Sequence, residues 1–154
     1  MIARHAIRAA IAAAALCASG SASAQLVNGD FRFLTENDDN VVMVGTTVAG
    51  PDTARRFDVV LVLRSAAPSG SDSFAFVFVA DCVKGTYRYS YTEAYSGNTL
   101  LSSGPSEMEA KPPAAGTLND AAHKYGCEGK SSGGDSKIVK GMGAARMYGR
   151  SLLN

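Results

Sequence analysis

The segment from Phe74 to Val83 is apolar on both of the faces that a β-strand presents. Side chains two residues apart lie on the same side of a strand, so Phe74, Phe76 and Phe78 would share one face. Alanine and valine alternate with them and would form most of the other face. Because both faces are largely apolar, we expect a central, buried strand.

Five further segments alternate in polarity or are rich in β-branched and aromatic residues, which is typical of strands. Glycine, proline and asparagine separate most of them at short intervals and predict tight turns. Short connections between successive strands imply hairpins, and therefore an antiparallel sheet. The six predicted strands are 30–34, 41–48, 57–64, 74–83, 87–95 and 99–103.

One helix is predicted after the strands and a proline-bounded loop, and it begins at Gly116–Thr117. Thr117 and Asp120 have the spacing of a capping box, with Asp in place of the usual Glu. Gly126 is a natural C-terminal stop. The apolar stripe of this helix, at positions i, i+3, i+4 and i+7, consists of Leu118, Ala121, Ala122 and Tyr125.

The first 24 residues have the three-part organisation of a secretory signal peptide. Arg4 and Arg8 form a basic region, an apolar alanine-rich run follows, and 22–24 reads Ala-Ser-Ala, a signal-peptidase site. The apolar run is shorter than the roughly 20 residues that a membrane-spanning helix needs. We expect cleavage after Ala24, a mature chain that begins at Gln25, and export to the periplasm, the cell surface or the medium. A short amphipathic N-terminal helix is the alternative.

The cysteines predict one disulfide in the exported chain. Leu16 precedes Cys17 where a lipoprotein would have a small residue, so we interpret Cys17 as part of the discarded peptide. Cys82 and Cys127 remain, and two cysteines in an oxidising compartment usually pair. The bond would close a loop of about 45 residues, for which chain entropy gives roughly 4 kcal/mol. Two unrelated thiols are the alternative.

These elements predict an α+β fold in two layers. An antiparallel sheet of about six strands would carry one C-terminal helix on its phenylalanine face, held there by Cys82–Cys127. The predicted domain covers 25–127, after the signal peptide at 1–24. Residues 128–154 are predicted to be a flexible Gly/Ser-rich linker and a loosely ordered tail, because three glycines weaken its helical character.

The order of these features resembles the surface-adhesin protein E family of bacterial exported proteins. The resemblance spans about 30–127 and includes the strand that ends in Asp81–Cys82, a Pro112–Pro113 stretch and a short helix that ends at Cys127. It departs from the family in having no tryptophan, and in having Gly45 where many members have Asp. The resemblance implies a small sheet with a disulfide-tied helix. The best-known member of the family is an adhesin for host matrix and serum proteins.

Catalytic equipment is not evident in the sequence, and we expect a non-enzyme without metal or cofactor. His123 is the only histidine after the leader, and it would point to solvent from the helix. An enzyme that uses His123 as a base is the alternative. The acidic turn at 36–40 lacks the spacing of a calcium loop. Glu107 and Glu109 are interpreted as residues of an exposed loop.

The charge balance predicts neither nucleic-acid nor lipid binding. The chain has 15 basic and 14 acidic side chains, and cleavage removes two arginines and no acids. The mature chain is therefore close to neutral, without a polybasic stripe. After cleavage we also expect no integral membrane segment.

One group of residues is a candidate binding surface: Tyr87, Arg88, Tyr89 and Tyr91. Exposed Tyr and Arg side chains are typical anchors of interfaces. We favour the alternative that the tyrosines extend the core beside the phenylalanines. We expect an exported, adhesin-like binding module whose partner is an extracellular or envelope protein. The alternative is a periplasmic structural protein without a diffusible ligand.

Overall fold

The computed structural model describes residues 26, 29–131 and 137–154, so the predicted signal peptide, its cleavage site and Cys17 lie outside the described residues. Within them the chain forms one antiparallel sheet and two helices, which confirms the predicted α+β class. The strands are β1 (Asp30–Glu36), β2 (Asn40–Gly45), β3 (Arg55–Leu63), β4 (Ser73–Asp81), β5 (Thr86–Ser96), β6 (Thr99–Pro105) and β7 (Val139–Lys140). The helices are α1 (Leu118–Glu128) and α2 (Met142–Leu152).

The sheet is a meander to which one late strand is added. Its order is β6-β5-β4-β3-β2-β1-β7, so strands that follow one another along the chain are neighbours up to β6. Local chemistry explains the tight turns: Gly97 takes a φ of 57° between β5 and β6, which a side chain would disfavour. The side-chain oxygen of Asn37 accepts hydrogen bonds from the backbone N–H groups of Asp39 and Asn40 between β1 and β2.

Helix α1 packs on the face of the sheet that carries Phe57 and Phe78, and the predicted disulfide holds it there. The Cα atoms of Cys82 and Cys127 are 5.5 Å apart. Tyr125 meets Phe57 edge to face with the ring centroids 5.5 Å apart. The disulfide and the packing of the helix on the phenylalanine face are therefore confirmed. The cover is incomplete, however, because Phe78 is fully buried whereas Phe74 and Phe76 are only half-buried.

The opposite face is covered by the segment that the sequence predicts to be a loosely ordered tail. Val139 pairs with Phe31 to form β7, and α2 then packs across β1, β2 and β3. The fold therefore has three layers and seven strands, where two layers and about six strands were predicted. Tertiary packing explains the difference, since a glycine that weakens an isolated helix also lets it approach the sheet. A Cβ atom at Gly149 would lie 2.9 Å from Val62 Cγ2.

Two arginines of α2 attach this helix to the sheet. The guanidinium carbon of Arg146, a buried residue, lies 3.8 Å from the centre of the Tyr95 ring. Arg150 forms an ion pair with Asp72 at 2.9 Å. These two polar contacts fix the orientation of α2 relative to the sheet, so that its apolar side faces the strands. Neither α1 nor α2 is long and apolar enough to cross a bilayer, and the rest of the described chain has no such helix.

The first prediction concerns the disulfide. Reduction should lower the free energy of unfolding by about 2–5 kcal/mol, because it releases a chain constraint and loosens the attachment of α1. Urea denaturation with and without a thiol reductant measures the change. A Cys82→Ser/Cys127→Ser double variant is the matched control and should match the reduced wild type, with no response to reductant. Equal stability of the oxidised and reduced wild type would contradict the prediction.

The second prediction tests the packing of α2. Gly149→Ala should lower the free energy of unfolding by about 1–3 kcal/mol, because the new methyl group crowds Val62. Gly143→Ala, in the same helix, adds a Cβ that has open space around it. This control should leave stability unchanged or raise it by up to about 1 kcal/mol. Equal effects from the two substitutions would show that α2 does not pack as described.

Candidate functional site

A bulge in β5 divides the tyrosines that the sequence suggests as a surface. Tyr89 pairs with Phe78, whereas Tyr91 pairs with the next strand residue, Val77, so Ser90 is the extra residue. Tyr89 therefore lies on the α1 face and Tyr91 on the α2 face. Arg88 is exposed on the α2 face, where it pairs with Val79. Tyr87, Arg88, Tyr89 and Tyr91 thus do not form one continuous surface.

Tyr87 and Tyr89 instead join the aromatic residues beneath and beside α1. Tyr87 is buried and stacks on Phe78 with a centroid distance of 5.1 Å. Tyr89 stacks on Phe76 at 4.4 Å. The structure therefore supports the interpretation that these two tyrosines extend the phenylalanine core.

The α1 face continues beyond the helix as a half-buried apolar surface. We call this surface the aromatic strip, and it consists of Leu61, Phe74, Phe76 and Tyr89. The rings of Phe74 and Phe76 are nearly parallel, at 12°, with centroids 6.1 Å apart. Helix α1 has 11 residues and is about 16 Å long at 1.5 Å per residue. Strand β4 has 9 residues and extends about 30 Å. The helix is therefore too short to cover the whole face.

Asn119 fixes the position of the first turn of α1 and so sets which part of the sheet face the helix covers. The hydroxyl of Tyr89 donates to Asn119 Oδ1 at 2.5 Å, and Asn119 Nδ2 donates to the hydroxyl of Tyr87 at 2.9 Å. These two bonds hold the N-terminal part of α1 against β5. Sequence reasoning missed Asn119, and the available signal was an amide beside the apolar stripe of the helix.

Two cavities lie near the N-terminal end of α1. The smaller, of about 110 Å³, lies between the helix and the aromatic strip, and its walls include Val59, Leu61 and Phe76. The larger is an open groove of about 710 Å³ on the β1 side of the helix, and Glu36 contributes to its rim. Leu118 and Asn119 line both cavities, so the two are neighbours at the start of the helix.

His123 is half-buried beside the disulfide, whereas the sequence places it in solvent. Its Nε2 atom lies 3.5 Å from the Asp81 carbonyl oxygen and 3.8 Å from Cys127 Sγ. The helical turn from His123 to Cys127 imposes this position. Glu107 and Glu109 are exposed, as predicted. Across residues 29–131 and 137–154, no three His, Cys, Asp or Glu side chains are grouped as metal ligands.

The third prediction is a loss of stability at high pH. Burial, reinforced by the neighbouring Tyr87, raises the pKa of Tyr89 from 10.0 to about 12, although the bond to Asn119 opposes the shift. Between these two pH values the folded state holds a proton that the unfolded state has released. The free energy of unfolding should therefore be unaffected by this group below pH 10 and should fall as the pH rises towards 12.

Urea denaturation at about pH 9 and about pH 12 measures this fall. Tyr89→Phe should make the fall smaller, whereas Tyr91→Phe, on the other face, is the control and should leave it unchanged. Part of the fall should persist, since burial and the hydroxyl bond to Glu93 raise the pKa of Tyr95 to about 12 as well. An identical fall in wild type and Tyr89→Phe would contradict the prediction.

Comparison with known proteins identifies no relative: no family model, no curated protein and no solved structure matches the chain. The resemblance to the surface-adhesin protein E family therefore stays a prediction.

Proposed function

We propose that this protein is an exported, non-enzymatic binding module that recognises an extracellular or envelope protein through its aromatic strip. The observation that carries the proposal is the half-buried row of Leu61, Phe74, Phe76 and Tyr89 on a face that α1 covers only in part. An adhesin-like role is the specific form of the proposal that the family resemblance suggests.

The strip has the properties of a protein-binding surface. Aromatic side chains provide large apolar contact area with little loss of conformational freedom, and they are enriched at interfaces. Stacking between neighbouring rings, together with the bonds of Asn119 to both tyrosines, fixes the strip before a partner arrives. Such preorganisation lowers the entropic cost of binding.

Export is supported by the leader sequence and by the disulfide. Disulfides persist in oxidising compartments and are rare in the cytoplasm. Fractionation of the producing cells, followed by mass measurement of the intact protein, tests this part. We expect a periplasmic, surface or secreted chain that begins at Gln25. A cytoplasmic chain, or one that begins at a lipidated Cys17, would contradict it.

The position of His123 supports a non-enzymatic role. A general base must reach a substrate proton in an accessible site. The Nε2 atom of His123 instead faces the Asp81 carbonyl group and the disulfide sulfur. The His123 side chain therefore faces the contacts that attach α1 to the sheet.

The fourth prediction tests the strip. Proteins crosslinked to the purified exported protein are identified, and each is then measured for binding as a purified component. Phe74→Ser should weaken binding of the true partner at least tenfold, because Phe74 is only half-buried in the strip and belongs to neither buried core cluster. The matched control is Met147→Ser, which removes an apolar side chain that is 67% exposed on α2. This control should bind like wild type.

If Phe74→Ser and Met147→Ser weaken binding equally, the aromatic strip is not the binding surface. If no purified component binds the wild type, the alternative of a structural protein without a ligand would be favoured.

A further inference from the structure

We propose that the site at the start of α1 takes a segment of the partner that carries an aliphatic side chain close to a lysine or arginine. This inference rests on the proposed function and specifies the chemistry of the partner. The aliphatic side chain would occupy the small cavity beside the aromatic strip, and the cation would lie at Glu36, which lines the neighbouring groove.

The volume and chemistry of the small cavity favour an aliphatic side chain. At about 110 Å³ it is smaller than the roughly 150 Å³ cavity that holds benzene. Val59, Leu61 and Phe76 give it apolar walls. The polar side chain of Asn119 is already bonded to Tyr87 and Tyr89. A polar side chain that entered would therefore lose hydration without a matched partner.

The charges around the larger groove favour a cation at Glu36. Both lysines among its described lining residues already have acidic partners, Lys124 with Asp120 at 2.8 Å and Lys130 with Glu128 at 2.6 Å. Glu36 is exposed and forms no ion pair among the described residues, and Asp38 and Asp39 follow it in the same exposed turn. Glu36 therefore offers the groove a carboxylate that has no ion-pair partner among the described residues, and such a carboxylate attracts a cation.

An anionic segment would find no matching site at the start of the helix. The Thr117 hydroxyl accepts from the Asp120 backbone N–H at 3.3 Å, and the Asp120 carboxylate accepts from the Gly116 N–H at 2.9 Å. The helix start is thus capped by the chain itself and carries a carboxylate. Both features oppose a second negative charge.

Selection from a phage-displayed library of random 12-residue peptides on the full exported protein tests the inference. We expect enriched peptides to share Leu, Ile, Val or Met within about four residues of Lys or Arg. In a synthetic copy of an enriched peptide, replacing the aliphatic residue by Asn should weaken binding at least tenfold. Glu36→Gln in the protein should weaken binding about threefold or more at low salt, and less at high salt because ions screen exposed charges.

Glu107→Gln is the matched control, since it neutralises an exposed carboxylate in the loop after β6. This variant should bind the peptide like wild type. The inference is overturned by a lack of enrichment, by enriched peptides without a basic residue, or by equal effects of the two Glu→Gln variants. A dimer of the free protein that Phe74→Ser dissociates would also overturn it, because a second copy would then occupy the strip.

The two proposals fail differently. If a purified partner binds through Phe74 while the selected peptides show no basic preference, the proposed function stands and this inference is wrong. If selected peptides depend on Glu36 while no protein partner depends on Phe74, the site at the start of α1 binds as inferred and the proposed recognition of a protein through Phe74 is wrong.

Discussion

The fold requires that the apolar side chains on both faces of the central strands be buried. β3 and β4 present apolar residues to each face, and burial of one such side chain is worth about 1.5–3 kcal/mol. Helix α1 covers Phe57 and Phe78 on one side, and α2 covers Val60 and Val62 on the other. A single helix could satisfy only one face, so the second helix completes the fold.

The candidate site arises from how α1 is attached. The disulfide fixes its C-terminal end at Cys82, and Asn119 fixes its first turn against β5. A helix of 11 residues held at these two places borders Phe76 across the small cavity and does not extend over Phe74. The half-buried aromatic strip and the cavity beside it are therefore consequences of helix length and anchoring.

The candidate site was only partly predictable from the sequence. Alternation correctly places Phe74, Phe76 and Phe78 on one face. The same alternation would place Tyr87, Tyr89 and Tyr91 together, but the extra residue Ser90 moves Tyr91 to the opposite face. Such a bulge depends on how two strands pair, so the sequence of one strand does not reveal it. Asn119 and Glu36 gain their roles in the same way, from elements that are distant along the chain.

The predicted stop at Gly126 is wrong, because α1 continues to Glu128 and is capped by Gly129 in the left-handed conformation. Local patterns in the sequence by themselves determined the first six antiparallel strands, the start of α1 and the pairing of Cys82 with Cys127. Each follows from side-chain periodicity, from a cap or turn residue, or from the number of cysteines. Only tertiary packing makes residues 139–152 a strand and a helix. Gly149 allows close contact with Val62, although glycine weakens a helix in isolation. Tertiary packing also decided which aromatic residues stay exposed, because that depends on the position of one element over another.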